Sequence, residues 1–182
     1  MDIKGISSNL DSTASKMIQY RPRNAIKDNN QMETITITTQ GTQNIRDLRS
    51  EAHRAIDSIL NQKITNKNDG RVAQLSANGR DKILSGEALK KSINNDFSKE
   101  EHFKASKHIK ELYENSILQK SHQDTKSKDI KQTHRYLADT KINNKEAQVL
   151  LTIREVIEHG NRIYSLELQE IRPMPNAKPT PS

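Results

Sequence analysis

Ala147-Gln148-Val149-Leu150-Leu151-Thr152-Ile153-Arg154-Glu155-Val156-Ile157, then His159-Gly160-Asn161, then Arg162-Ile163-Tyr164-Ser165-Leu166-Glu167-Leu168-Gln169-Glu170-Ile171: this stretch decides the fold class. In its last segment Tyr164, Leu166 and Leu168 alternate with Ser165, Glu167 and Gln169. A period of two sends successive side chains to opposite faces of a strand, so one face is buried and the other wet. His159-Gly160-Asn161 interrupts the pattern as a turn does. Upstream, Asn143-Asn144 separates it from one more short run, His134–Asp139. Strands joined by connections this short pair antiparallel, because a parallel pair needs a long crossover. The expectation is a three-stranded antiparallel β-meander over 134–171.

Ahead of the meander the period lengthens to that of a helix. Residues 119–132, largely Lys, Ser, Gln and Asp, read as a solvated loop between the two regimes. Ser98-Lys99-Glu100-Glu101 has the spacing of a capping box, in which the serine hydroxyl and the glutamate three residues on satisfy each other's free backbone donors. The helix that follows runs to about Ile117, with Ala105, Ile109, Leu112 and Ser116 as its inner stripe. Ser76 or Asn78 caps a short helix through Ile83 and Leu84. Lys63–Asn66 and Arg71–Leu75 flank Lys67-Asn68-Asp69-Gly70, and Asp-Gly supplies the positive φ of a tight turn, so two short strands are expected there. Ile45, Leu48, Ala52, Ala55, Ile56 and Ile59 fall three or four apart on one face of a helix from Asn44 to Leu60.

These elements predict an α+β fold, with N-terminal helices packed on one face of a twisted antiparallel β-meander in a single domain over 45–172. Residues 1–44 read as a mostly disordered tail, with a short helix near Leu10–Tyr20 and a short strand at 34–39, where Ile alternates with Thr. Pro173, Pro175, Pro179 and Pro181 make 173–182 a Pro-rich disordered tail.

Composition narrows the function. Thirty Lys and Arg stand against 23 Asp and Glu, giving +7, a balance that favours RNA or another acidic partner. With two Phe, four Tyr and no Trp, a base-stacking platform is not expected. The absence of Cys removes disulfides, thiol nucleophiles and thiolate metal sites. Nowhere do 18 apolar residues run together, and the N-terminus lacks the pattern of a signal peptide, so a cytoplasmic protein with no membrane partner is expected. No His-Glu-x-x-His, calcium-loop, glycine-rich phosphate-loop or Gly-x-Ser-x-Gly pattern occurs, so neither metal nor other cofactor is expected.

Several phrases recur in a recognisable order. They are Ile64-Thr65-Asn66-Lys67-Asn68-Asp69-Gly70, Gly79-Arg80-Asp81-Lys82-Ile83-Leu84-Ser85, Ile109-Lys110-Glu111-Leu112-Tyr113-Glu114-Asn115-Ser116, His134-Arg135-Tyr136 and Asn161-Arg162-Ile163-Tyr164-Ser165-Leu166. Together they resemble the third family of large polyvalent protein-associated domains, over about residues 45–172. That resemblance implies a phage or mobile-element setting and a relationship to the barnase, EndoU, colicin and RelE nuclease fold. It implies a metal-independent ribonuclease-like effector, delivered by a phage or mobile element and matched by a cognate inhibitor protein. A non-catalytic nucleic-acid- or protein-binding module, or a host-inhibitor protein, on the same fold is the alternative.

Cleaving RNA through its own 2′-hydroxyl needs a base titrating near neutrality, an acid for the leaving oxygen, and cations for the crowded phosphate. Six histidines are available. His102 lies on the inner stripe of its helix, near an N-terminus whose backbone donors attract phosphate; a packed core histidine is the plainer reading. His134 opens a meander strand, where alternation lets it share a face with Tyr136 but not with Arg135. Arg154 shares a face with Thr152 and suits a phosphate clamp, or a cross-strand pair with a glutamate. The expected catalytic set is His102, His134 and Arg154, bordered by Lys104, Lys107 and Arg135 as nucleic-acid-binding residues. His53, His122 and His159 have no assignable partners in the sequence.

Overall fold

The computed structural model describes residues 34–41 and 43–175. The expected helix near Leu10–Tyr20 and most of the expected tails lie outside these residues. Pro173 itself ends a strand, so regular structure reaches one residue into the stretch read as a tail.

The chain starts with strand β1 (Ile35–Ile37) and helix α1 (Ile45–Asp57), whose N-cap Asn44 accepts a hydrogen bond from the Arg46 amide. Strands β2 (Lys63–Thr65) and β3 (Val72–Gln74) form the expected hairpin, and Gly70 in its loop has φ +75°. The short helix expected next is α2 (Ala77–Ile83), capped by Ser76, and a further helix not expected from the sequence, α3 (Gly86–Asn94), follows from a second cap at Ser85. The capping box at Ser98 and Glu101 opens α4 (Lys99–Lys107). A break at His108 separates it from α5 (Ile109–Glu114), although the apolar stripe continues across the break.

The meander has four strands, not three: β4 (Ile117–Gln123), β5 (Ile130–Ile142), β6 (Lys145–Glu158) and β7 (Asn161–Pro173). Half of the stretch expected to be a loop is therefore strand. Only Ile117 and Leu118 of β4 are buried, and its polar remainder is held by the ladder to β5 rather than by apolar alternation. The β5–β6 and β6–β7 hairpins turn on Asn143-Asn144 and His159-Gly160, all four at positive φ, the geometry of tight two-residue turns. The sheet is mixed, since β1 pairs with β5 and β3 touches β7, both in parallel, and its seven strands run β1-β5-β6-β7-β3-β2 with β4 also on β5. The α+β class stands.

Register fixes the two faces. His134 pairs with Ile153, Tyr136 with Leu151 and Ala138 with Val149, while Ile153 and Leu151 pair onward with Leu166 and Leu168. This face packs against Leu48, Ala52 and Ile56 of α1 and Phe103, Ile109 and Leu112 of α4 and α5 in one core. The outer face carries Thr133 opposite Arg154, which is opposite Ser165, and Arg135 opposite Thr152, which is opposite Glu167. Helices α2 and α3 lie along β7. Among the described residues no helix is long and apolar enough to cross a membrane.

Candidate functional site

The six residues singled out in the sequence occupy four separate places. His102 is sealed in the core, fully buried. Its Nε2–H donates to the Ile83 carbonyl at 2.9 Å, and its Nδ1 accepts from the Ser92 hydroxyl at 2.9 Å. The Ser92 oxygen in turn accepts from the Ile171 amide at 3.1 Å. This closed chain ties α4 to α2, α3 and β7, and leaves no ring nitrogen for a substrate. Burial holds the imidazole below its ordinary value, opposed by the bond to Ile83. The stripe position that suggested an accessible acid–base group instead turns the ring inward.

Lys104 and Lys107 face α1, where Lys107 Nζ sits 3.2 Å from Glu51 Oε2 and both cations lower the Glu51 carboxyl. Lys107 ties α4 to α1, and neither lysine lines the pockets described below. Arg154 and Arg135 are on the outer face, and His134 is on the core face. The sheet stands between them, so His102, His134 and Arg154 form no common site.

His134 does have a setting of its own. It sits near the end of the core face, only 2% exposed. Its Nδ1 is 2.6 Å from Ser121 Oγ on β4. Nε2 is buried without a hydrogen-bond partner, 3.8 Å from Glu155 Oε2. Glu155 is itself 6% exposed and accepts at 2.9 Å from Arg162 Nε, whose arm is largely exposed. The Tyr164 ring stands 6.4 Å from the imidazole.

Beside this pair opens a cleft of about 690 Å³ between the β2–β3 hairpin and the start of β7, lined by Lys63, Asp69, Arg71, Leu118, Arg162 and Tyr164 among others. Tyr136 anchors its wall from within the core. The Tyr136 hydroxyl donates to Asp69 Oδ2 at 2.6 Å and accepts from Arg71 Nη1, while the Tyr113 hydroxyl donates to the Arg71 carbonyl at 2.9 Å. Burial, reinforced by the bond to Asp69, pushes the Tyr136 phenol well above its usual range, so it stays a hydrogen-bond donor. Three cations thus face one cleft, and Asp69 is occupied by a phenol.

The sharing of a core face by His134 and Tyr136 follows from alternation alone. Asp69 and Arg71 entered the sequence reading only as turn and strand residues. Glu155 carries a legible signal: it continues the buried parity of Ala147, Val149, Leu151 and Ile153, where a carboxylate is out of place. The pairing of Arg162 with Glu155 depends on register, which no pattern within one strand supplies.

Burial, and then the positive charge of Arg71, lowers the His134 imidazole to about 4. The unfolded chain therefore takes up a proton that the folded chain refuses. This contribution to stability is complete above the ordinary value of 6.5 and is lost as pH falls towards about 4. Between pH 7 and 4 it amounts to on the order of 3 kcal/mol. Urea unfolding of the wild type should show that loss, and His134→Gln should remove it. Equal slopes for the two proteins would contradict the assigned environment.

No curated protein and no solved structure matches the chain. The family described as Large polyvalent protein-associated domain 3 matches residues 43–164, a span that runs from the residue before the N-cap of α1 to Tyr164 and holds Asp69, Arg71, His134, Glu155 and Arg162. On that match the chain belongs to the Large polyvalent protein-associated domain 3 family.

Proposed function

We propose that the cleft cleaves RNA without a metal, and that the chain is a ribonuclease-like effector of a phage or mobile element, acting in the cytoplasm of a host cell. The observation that carries this reading is the unpartnered Nε2 of a neutral histidine, 3.8 Å from a buried carboxylate and beside a cleft lined by Lys63, Arg71 and Arg162. The closed-state imidazole is unprotonated at neutral pH but a weak base, and because burial is the main cause of its lowering, the opening that admits substrate brings it back towards neutrality, where a general base works best. His134 Nε2 takes the proton of a ribose 2′-hydroxyl, whose oxygen attacks the adjacent phosphorus. The bond to the 5′-oxygen breaks, giving a 2′,3′-cyclic phosphate and a free 5′-hydroxyl. Tyr164 is a phenol in the cleft wall able to return a proton to that leaving oxygen. Arg71, Arg162 and Lys63 stabilise the charge gathering on the phosphate oxygens. Because Nε2 has no accessible surface, substrate entry requires a rearrangement, and the phosphodiester competes with Glu155 for Arg162. The basic cleft also suits a relationship to the barnase, EndoU, colicin and RelE nuclease fold, with a cognate inhibitor protein that covers it.

One observation favours a second reading. His134 and Glu155 are both buried, so a cleft that never opens would hold RNA without cutting it. Incubating the purified protein with total RNA in EDTA separates the two. The enzyme reading expects fragmentation at micromolar protein; intact RNA retained by the protein would leave the binding reading.

A further inference from the structure

The outer face of the sheet is wet in most meanders, yet here four of its polar side chains are buried: Thr133, Gln148, Thr152 and Glu167 are 6%, 2%, 3% and 4% exposed. Part of this face forms a groove of about 310 Å³ beside the β4–β5 turn, lined by His122, Lys126, Thr133, Arg135, Thr152 and Arg154 among others. That volume is at the lower end of the ~300–1,000 Å³ typical of small-molecule sites. Two polar atoms there have no partner, the Thr133 hydroxyl and Arg154 Nε. Buried polar groups are nearly always paired, so an orphan hydroxyl and an orphan guanidinium N–H on register partners call for an explanation.

The ordinary explanation, a cross-strand pair between Arg154 and a glutamate, is only half met. Glu167 Oε1 is held by Lys82 Nζ at 2.9 Å, whereas Arg154 Nη2 stands 3.6 Å from Oε2, beyond hydrogen-bonding reach. Glu167 lies outside the groove, and the acid that lines it, Asp124, accepts from the Lys126 and Ser127 amides at 2.9 and 3.2 Å, bonds that lower its carboxyl, with a smaller contribution from Arg154. Lys126, Arg135 and Arg154 therefore outnumber one carboxylate that is already committed to its own turn.

We infer that this groove is a second binding site, distinct from the cleft at His134, which takes the phosphate group of a phosphate ester between Arg154, Thr133 and Arg135. A guanidinium presents parallel donors that match phosphate oxygens, and the threonine hydroxyl adds a directed donor. The ester comes from a free nucleotide or from the backbone of an RNA strand. The site lies across the sheet from the candidate nuclease cleft and stands whether or not that cleft is catalytic.

The test is titration with inorganic phosphate, with a nucleoside 5′-monophosphate and with a short 2′-O-methyl RNA that cannot be cleaved through its 2′ position. The readouts are the Arg154 Nε–H and Thr133 amide signals in NMR spectra. Saturable shifts of both are expected. Response to phosphate and monophosphate identifies a free ester as sufficient, and response to RNA alone identifies the backbone. Arg154→Lys keeps the charge but loses the fork, and should weaken binding about tenfold or more while the fold is retained. Thr133→Val removes a hydroxyl that has no partner in the free protein, so it should raise Tm while weakening the same binding. Absence of saturable shifts with all three ligands overturns the proposal, as does wild-type affinity in both variants.

Discussion

His134→Gln is expected to lower RNA cleavage by on the order of 10²–10⁴-fold at pH 7, the usual effect of removing an acid–base group. Glutamine can keep a bond to the Ser121 hydroxyl that now lies 2.6 Å from Nδ1. What it cannot supply is the free basic nitrogen beside Glu155. Because the histidine is neutral in the folded chain at pH 7, its loss removes no ion pair, and the unfolding midpoint at that pH should change little. His102→Gln provides the contrast. It breaks the chain from Ile83 through Ser92 to Ile171, so it should lower the midpoint while the folded fraction cleaves at an undiminished rate. If His102→Gln abolishes cleavage in protein shown to be folded, the assignment of the two histidines is reversed.

Tyr136→Ala is expected to cost about 3–5 kcal/mol of stability, the range for truncating a large buried ring. The Tyr136 ring is fully buried and meets Tyr113 edge to face at 5.4 Å between centroids. Its hydroxyl holds Asp69 and Arg71 in the hairpin loop, so the same residue serves both core and cleft. Tyr136→Phe separates the roles. It keeps the packing but leaves the Asp69 carboxylate and Arg71 guanidinium short of a partner, at a cost of about 1–3 kcal/mol. Cleavage should fall further than that stability loss explains, since Arg71 is no longer held at the cleft. Urea midpoints with unchanged slopes would report the stability terms. A Tyr136→Phe protein with wild-type stability and rate would show that the phenol organises nothing.

The strands that bury an apolar face were legible in the sequence. β6 and β7 announce themselves through Val149, Leu151, Ile153, Leu166 and Leu168, and their turns through Asn143-Asn144 and His159-Gly160. β4 was not legible, because beyond Leu118 it is polar and owes its form to pairing with β5. The division at His108 was hidden for a related reason: an apolar stripe continues across a break when both helices pack on the same core.

For the site, parity within one strand placed His134 and Tyr136 together, and parity also put Arg154 with Thr152. Whether Arg154 and His134 face the same way depends on register between strands, and the register sets Arg154 against Thr133 rather than His134. Asp69 and Arg71 reach the cleft through a hairpin remote in sequence from β5, a placement that local periodicity does not encode. His102 shows the opposite limit. Its stripe position was read correctly, and that position buries it.

Chemistry at a phosphodiester is recorded most directly in the ends of the products. Purified protein, wild type and His134→Gln, would be incubated in EDTA with a defined RNA and the termini analysed by mass. The wild type should yield 2′,3′-cyclic phosphate and 5′-hydroxyl ends, and the variant almost none. Products bearing 5′-phosphate that form only with added divalent metal, or equal cleavage by the two proteins, would contradict that expectation.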